Sequence, residues 1–318
     1  MLLRFFSTAL FALASMSCAS KAIPAFYPDI LELSAPLFAV LPDLQKCQTG
    51  QLQETEKQNL LSHINSIRQL HGLASVTLNH DTEASVKQAA LMFAVNGQIS
   101  HNPPTTWQCY SEAGANAALK SIISGGVAAK NIAFYSPEQD FIAWLTDINA
   151  VNVTDIGHRR ILLDPFLASI AYARVSGRIS KNKVSVGSAL WPTAINRSSV
   201  GVSADQLIAY PYHDYPARYF ADGTVLSVSL LIDKTNKQGN SAVDFSMARV
   251  HISNENTEKI QIKHIQYDNK YYGIPNNLQF TVSHIEPNLR YQVSVAGVRV
   301  NGIEKTYTYW FRIVSEKN

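Results

Sequence analysis

Leu60, Ile64, Ile67 and Leu70 recur at spacings of three and four, which predicts a helix with one apolar face. Gly72 stops it, and Val76-Thr-Leu78 reads as a short extended piece. A second helix is expected from near Asp81 through Ala89, Ala90, Phe93 and Ala94 to Asn96-Gly97. A third opens at Ser136-Pro137-Glu138-Gln139, with a capping Ser, Pro at the first helical position and Gln to close a capping box. Phe141, Trp144 and Leu145 form its apolar stripe. Between Ile170 and Trp191 the period falls to two, which predicts a hairpin turning near Lys181-Asn-Lys183. From Leu207 onward only strands are expected, at 225–232, 245–252, 259–267, 278–282, 291–300 and 306–314. Asn301-Gly302 between the last two is a strong signal for a tight hairpin.

Helices followed by strands make the first part an α+β or three-layer sandwich unit, and about seven strands in the remainder argue for a β-sandwich. Tyr291, just inside a late strand, resembles the tyrosine corner of immunoglobulin-like folds. The expected organisation is a signal peptide over 1–20, an extension over 21–53, an α+β domain over 54–200 and an immunoglobulin-like sandwich over 201–318.

The first twenty residues set the expected compartment. Arg4 precedes an apolar run from Phe5 to Met16, and Ser17-Cys18-Ala19-Ser20 supplies the small residues of a secretory exit. Cleavage near Ala19 or Ser20 is the expectation. Cys18 after Ser17 also fits lipid attachment, although Ser15 stands where a Leu-like residue is usual. Removing this segment leaves Cys47 and Cys109, and an even count in an exported chain reads as one disulfide. The mature protein is expected to be secreted, periplasmic or on the cell surface, without a transmembrane helix.

Composition narrows the partners. Across 318 residues, 46% are hydrophobic and 16% charged, which is enough apolar material for a large core and rules out intrinsic disorder. Lys plus Arg number 27 against 24 Asp plus Glu, a net charge of only +3. So small an excess, without clustering, gives no electrostatic case for a nucleic-acid partner.

The residues that could carry chemistry lie in the α+β part. His101 sits in the Pro-rich Ile99-Ser-His-Asn-Pro-Pro104, and His158 in Gly157-His-Arg-Arg160. With Asp147, Asp155 or Glu112 nearby, two imidazoles could hold a divalent cation (zinc, magnesium or calcium) or perform acid–base work. Loop capping by hydrogen bonds is the simpler role for each. Ser100 lacks a nucleophile elbow, Gly125-Gly126 lacks the Lys-Ser/Thr of a phosphate loop, and no His-Glu-x-x-His occurs. The tyrosines at 210, 212, 215 and 219 read as packing between the two parts, with a sugar-stacking platform as the alternative.

Taken together, several motifs resemble the CAP superfamily (cysteine-rich secretory proteins, antigen 5, pathogenesis-related group 1), in its bacterial SCP-like branch. They are Ile64-Asn-Ser-Ile-Arg68 with Gly72-Leu73, Ser100-His-Asn-Pro-Pro104, Trp107-Gln-Cys-Tyr110 with Gly114-Ala115, Trp144-Leu-Thr-Asp147, Asn152, Gly157-His-Arg-Arg160 and Leu190-Trp191. The resemblance spans residues 54 to 192. It implies an α-β-α sandwich, extracytoplasmic, with a cleft lined by two His and two acids. His101 matches the first His, His158 the second, and Asp147 one acid. The other acid has no clean counterpart. Lys130 stands at its position in Ala129-Lys-Asn-Ile-Ala133, or else Asn116 does in Gly114-Ala-Asn116, and Glu112 is the nearest substitute.

Members of the family are credited with sterol or lipid binding, protein interaction and proteolysis. Without a nucleophile motif or a complete acid set, the expectation is a binding module for a lipid or sterol-like ligand or an envelope or host protein. A metal-assisted, peptidase-like hydrolase using His101 and His158 is the alternative, with Asp147 or Glu112 orienting them.

Overall fold

The computed structural model describes residues 30–129, 136–147, 156–194, 200, 207–256 and 258–315. The leader, Cys18, Lys130, Asn152 and Asp155, on all of which expectations rest, lie outside them.

The chain enters through a short helix α1 (Ile30–Ser34) and a 3-10 turn (Ala35–Leu37). Strands β1 (Phe38–Val40) and β2 (Gln51–Leu52) then form an antiparallel pair. Phe38, Leu44 and Leu52 are buried, so this stretch is packed into the fold. Helix α2 (Glu54–Leu70) buries Leu60, Ile64 and Ile67 as its spacing predicts, together with Lys57 and Arg68. After β3 (Thr77–Leu78) comes α3 (Glu83–Asn96), capped by Gly97 in the left-handed region at φ 62°. Helix α3 is buried on several sides, and Gly187 of the sheet shows why it sits so close. A Cβ there would lie 2.4 Å from the Ala90 carbonyl oxygen, so only glycine permits this approach.

Helix α4 (Glu112–Lys120) and strand β4 (Ile122–Ala129) follow. Neither shows a clear period in the sequence, because α4 is short and Ala-rich and β4 contains Gly125-Gly126. Helix α5 (Pro137–Thr146) starts with the expected capping box, Ser136 and Gln139 each accepting from the other's backbone N–H. Helix α6 (Gly157–Leu162) leads to β5 (Ser169–Ser180) and β6 (Lys183–Ala194), the expected hairpin. The sheet runs β3-β5-β6-β4, with β3 parallel to β5 and the other pairs antiparallel.

Alternation along these strands builds three layers. Ile123, Ala171, Ala173 and Ala189 pack with Val86, Ala90, Phe93 and Ala117 of α3 and α4. Ile122, Ile170, Tyr172 and Leu190 pack with Ile64 of α2 and with Phe141 and Trp144 of α5. Successive residues of a strand point to opposite faces, so one sheet carries helices on both sides.

The C-terminal region is β-rich. It comprises β7 (Leu207–Tyr210), β8 (His213–Pro216), β9 (Leu226–Leu230), β10 (Val243–Asp244), β11 (Arg249–Asn254), β12 (Ile262–Asp268), β13 (Asn277–Val282), β14 (Arg290–Val300) and β15 (Ile303–Val314). One sheet has the order β12-β13-β9-β7. In the other, β10 and β11 both pair with β14, β14 pairs with β15, and β8 runs parallel to β15. Val228, Phe280, Val293 and Phe311 fill the interior, as expected for a β-sandwich. Asn301 and Gly302 turn the last hairpin with φ of 50° and 79°, the paired positive angles of a type I′ turn. The Tyr291 hydroxyl accepts the backbone N–H of Glu286 at 2.8 Å, tying the preceding loop to its strand.

A single apolar cluster runs through both regions. Leu60, Ile64, Phe141 and Leu162 from the α+β part join Tyr210, Tyr212, Tyr215 and Tyr219. The four tyrosines are buried, the packing role their spacing suggested.

Candidate functional site

Asp147 terminates α5 in the left-handed region, with φ 48° and ψ 31°. A β-carbon is disfavoured there, by about 1 kcal/mol, and Asp and Asn tolerate it best. That turn brings the carboxylate onto the start of α6. His158 Nδ1–H donates to Asp147 Oδ1 at 2.8 Å, and the Arg159 backbone N–H donates to Oδ2 at 3.1 Å. The carboxylate is nearly enclosed, with 4% of the Asp147 side chain exposed against 35% of the His158 side chain. Asp147 therefore orients the ring and fixes its proton on Nδ1, leaving Nε2 as the acceptor.

His101 is exposed in the loop after α3, and its Nδ1–H donates to the Ala118 carbonyl at 3.0 Å near the end of α4. It too is left with an Nε2 acceptor. Glu112 is exposed in the first turn of α4, where Ser111 caps the helix by accepting from the Gly114 N–H. A carboxylate there is favoured by the helix dipole. Among the described residues, no hydrogen bond or ion pair joins Glu112 or His101 to the Asp147–His158 pair. Thus Asp147 and His158 are brought together, and His101 and Glu112 are each anchored to their own elements.

Among the described residues the expected set of two His and two acids is joined only in the Asp147–His158 pair. Each Asp147 oxygen accepts one N–H, and among the described residues no three His, Cys, Asp or Glu groups converge.

Ile99, two residues before His101, belongs to an exposed apolar group. Ile99 packs on Gly125, where a Cβ would meet its Cγ2 at 3.0 Å, and Val127 and Ile179 both lie over Gly97. All three stay exposed, at 43%, 42% and 37%. The loop following them is tied down by the Cys47–Cys109 disulfide.

The arginines of Gly157-His-Arg-Arg160 have a role that their sequence order does not disclose. Arg159 is 1% exposed, and its Nε and Nη2 donate to the carbonyls of Leu145 and Thr146, each at 2.6 Å. Its Nη1 reaches Val225 O at 2.6 Å and Ser227 Oγ at 3.2 Å in the β-rich region. The Tyr210 ring lies 3.8 Å beneath the guanidinium. Arg160 pairs with Asp268 at 2.8 Å and donates to Lys270 O at 2.7 Å. Asp164, shortly after, holds Lys237 at 2.5 Å.

Other buried polar groups support the scaffold. Arg68 donates to the carbonyls of Ala74, Leu162 and Asp164, closing the α2 end over the loop after α6. Its place on the apolar stripe, four residues after Ile64, was a readable sign of a buried cation. Asp140 on α5 accepts from Ser124, Tyr172 and Arg174 of the sheet at 2.6, 2.9 and 2.7 Å. Asp140 lies four residues before Trp144, so the same periodicity pointed inward.

The α+β part is thus a three-layer α-β-α unit with a paired His and Asp at its Gly-His turn. Residues 61–186 match the family model described as CAP, the Cysteine-rich secretory protein family. The match ends before the β-rich region begins. No curated protein matches the chain. CAP proteins are typically extracellular, and the disulfide supports the same location here. No helix among the described residues is long and apolar enough to cross a membrane.

Proposed function

We propose that the chain is a secreted or envelope-associated binding protein of the bacterial SCP-like branch, whose CAP domain takes a lipid or protein ligand beside His101 and the Asp147–His158 pair. The observation that carries this reading is the exposed apolar group Ile99, Val127 and Ile179, of which Ile99 lies two residues before His101. Such side chains flanked by polar groups favour contact with an apolar partner. The β-rich region supports an immunoglobulin-like partner domain. Its sheets pair the strands as first-second-fifth-fourth and third-sixth-seventh, with β10 and β11 together as the third and β8 continuing the first.

The test is binding of the full-length mature protein to phospholipid vesicles and to solubilised envelope proteins. Val127→Asp and His158→Ala are expected to lower retention at least several-fold, and wild-type protein that is retained by neither overturns the reading.

A hydrolase is the second reading, favoured by the two imidazoles whose Nδ1 atoms are held by Asp147 and the Ala118 carbonyl. In it, Asp147 orients His158 and Nε2 accepts a proton from a nucleophilic water. Loss of a measured peptidase activity in folded His101→Ala or His158→Ala supports it. Calorimetry with zinc, magnesium and calcium tests whether a cation takes part.

A further inference from the structure

We propose that Arg159 is a positioning residue that makes the β-rich region a working part of the Asp147–His158 site. This rests on the reading of that pair as the functional centre, but its test does not depend on any ligand. Two of the guanidinium's contacts lie on the carbonyls of Leu145 and Thr146, the two residues before Asp147. The backbone N–H of the same arginine holds the Asp147 carboxylate. Arg159 therefore grips the left-handed turn from both its main chain and its side chain, and it adjoins His158 in sequence.

The other end of the guanidinium is fixed by Val225 O, Ser227 Oγ and the face of Tyr210. Tyr210 is itself held, its hydroxyl donating to Tyr219 O at 2.8 Å and its ring meeting Tyr215 edge-on at 5.2 Å. A displacement of the Tyr210 strand thus reaches Asp147 through one rigid planar group. A planar fork with five N–H donors can span both regions at once, which a lysine cannot do. Burial lowers the Arg159 pKa from its ordinary value, and the neighbouring Tyr210, Asp147 and Tyr215 oppose that only in part.

The readout is the His158 Nδ1–H in proton NMR of the full-length protein, assigned by its loss in His158→Gln. In wild type this proton is expected downfield and slow to exchange, because Asp147 holds it. Tyr210→Leu and Ser227→Ala alter only the β-rich side, and both are expected to speed its exchange, Tyr210→Leu by about tenfold, the scale of one hydrogen bond. Tyr210→Phe keeps the ring under the guanidinium and loses only the hydroxyl bond, and it is expected to speed exchange less than Tyr210→Leu. Arg159→Lys keeps the charge and is expected to behave like Tyr210→Leu. Should Arg159→Lys fail to fold, the Tyr210 and Ser227 variants decide. Wild-type exchange in folded Tyr210→Leu and Ser227→Ala overturns the proposal. If the coupling is observed while wild-type protein binds no vesicle or envelope component, the binding reading fails and the positioning role stands.

Discussion

Asp147 holds His158 with one carboxylate oxygen, at 2.8 Å, and the backbone of the next residue, Arg159, with the other, at 3.1 Å. One side chain thereby sets both the tautomer of the ring and the start of α6. Asp147→Ala removes both acceptors and keeps a β-carbon at positive φ. It is expected to lower stability by about 1–3 kcal/mol, since the Arg159 N–H is left buried and unpaired. Asp147→Asn, which keeps an acceptor and tolerates the backbone, is expected to fall between Ala and wild type in urea denaturation.

His71 gives the fold a built-in acid sensitivity. It is fully buried at the end of α2, stacked on Tyr212 with ring centroids 5.6 Å apart, and neither ring nitrogen has a hydrogen-bond partner among the described residues. Burial, reinforced by the charges of Arg68 and His213, lowers its pKa from 6.5 to about 3. The unfolded chain takes up this proton below pH 6.5, whereas the folded chain resists it. Stability is therefore complete above that value and is lost as pH falls toward 3, by about 1.4 kcal/mol per unit. His71→Phe keeps the stacking and is expected to remove this slope. Comparing urea midpoints at pH 7 and pH 4.5 for both proteins checks it.

Asp140 and Arg174 form an ion pair with each side chain 1% exposed. Asp140→Ala removes the carboxylate that balances the buried guanidinium and is expected to cost about 3–5 kcal/mol. Replacing both, as Asp140→Leu with Arg174→Met, is expected to recover most of that loss. A double-mutant cycle by chemical denaturation measures the difference, and equal losses in the single and double variants would contradict it.

The Cys47–Cys109 bridge spans 62 positions of sequence. In the chain-entropy model, closing such a loop contributes about 4 kcal/mol. Cys47→Ser with Cys109→Ser, or reduction, is expected to lower the melting temperature and to loosen the loop that follows His101. Partial proteolysis near residues 98–111 reads out the second effect.

Much of the fold was legible in the sequence because burial leaves periodic traces. The α2 stripe, the Ser136 capping box, the β5–β6 hairpin and the Asn301-Gly302 turn all stand where local pattern put them. Helix α4 and strand β4 escaped because alanines and glycines carry little amphipathic signal. Of the candidate site, Asp147 and His158 were each visible as chemistry-bearing residues at a Gly-His turn. Their contact was not, because it depends on a left-handed residue at the end of α5 and on where α6 is docked.

Local sequence, then, determined the elements, the cysteine pair and the candidate imidazoles, since propensity, capping and period act over a few neighbouring residues. Tertiary structure alone decided which of those groups meet. In the β-rich region, the partners Val225 of Arg159 and Asp268 of Arg160 lie 66 and 108 positions away, in segments that share no local pattern with α6. Hydrogen bonds from a buried guanidinium are set by where backbone carbonyls come to rest in space, and only the packed chain fixes that.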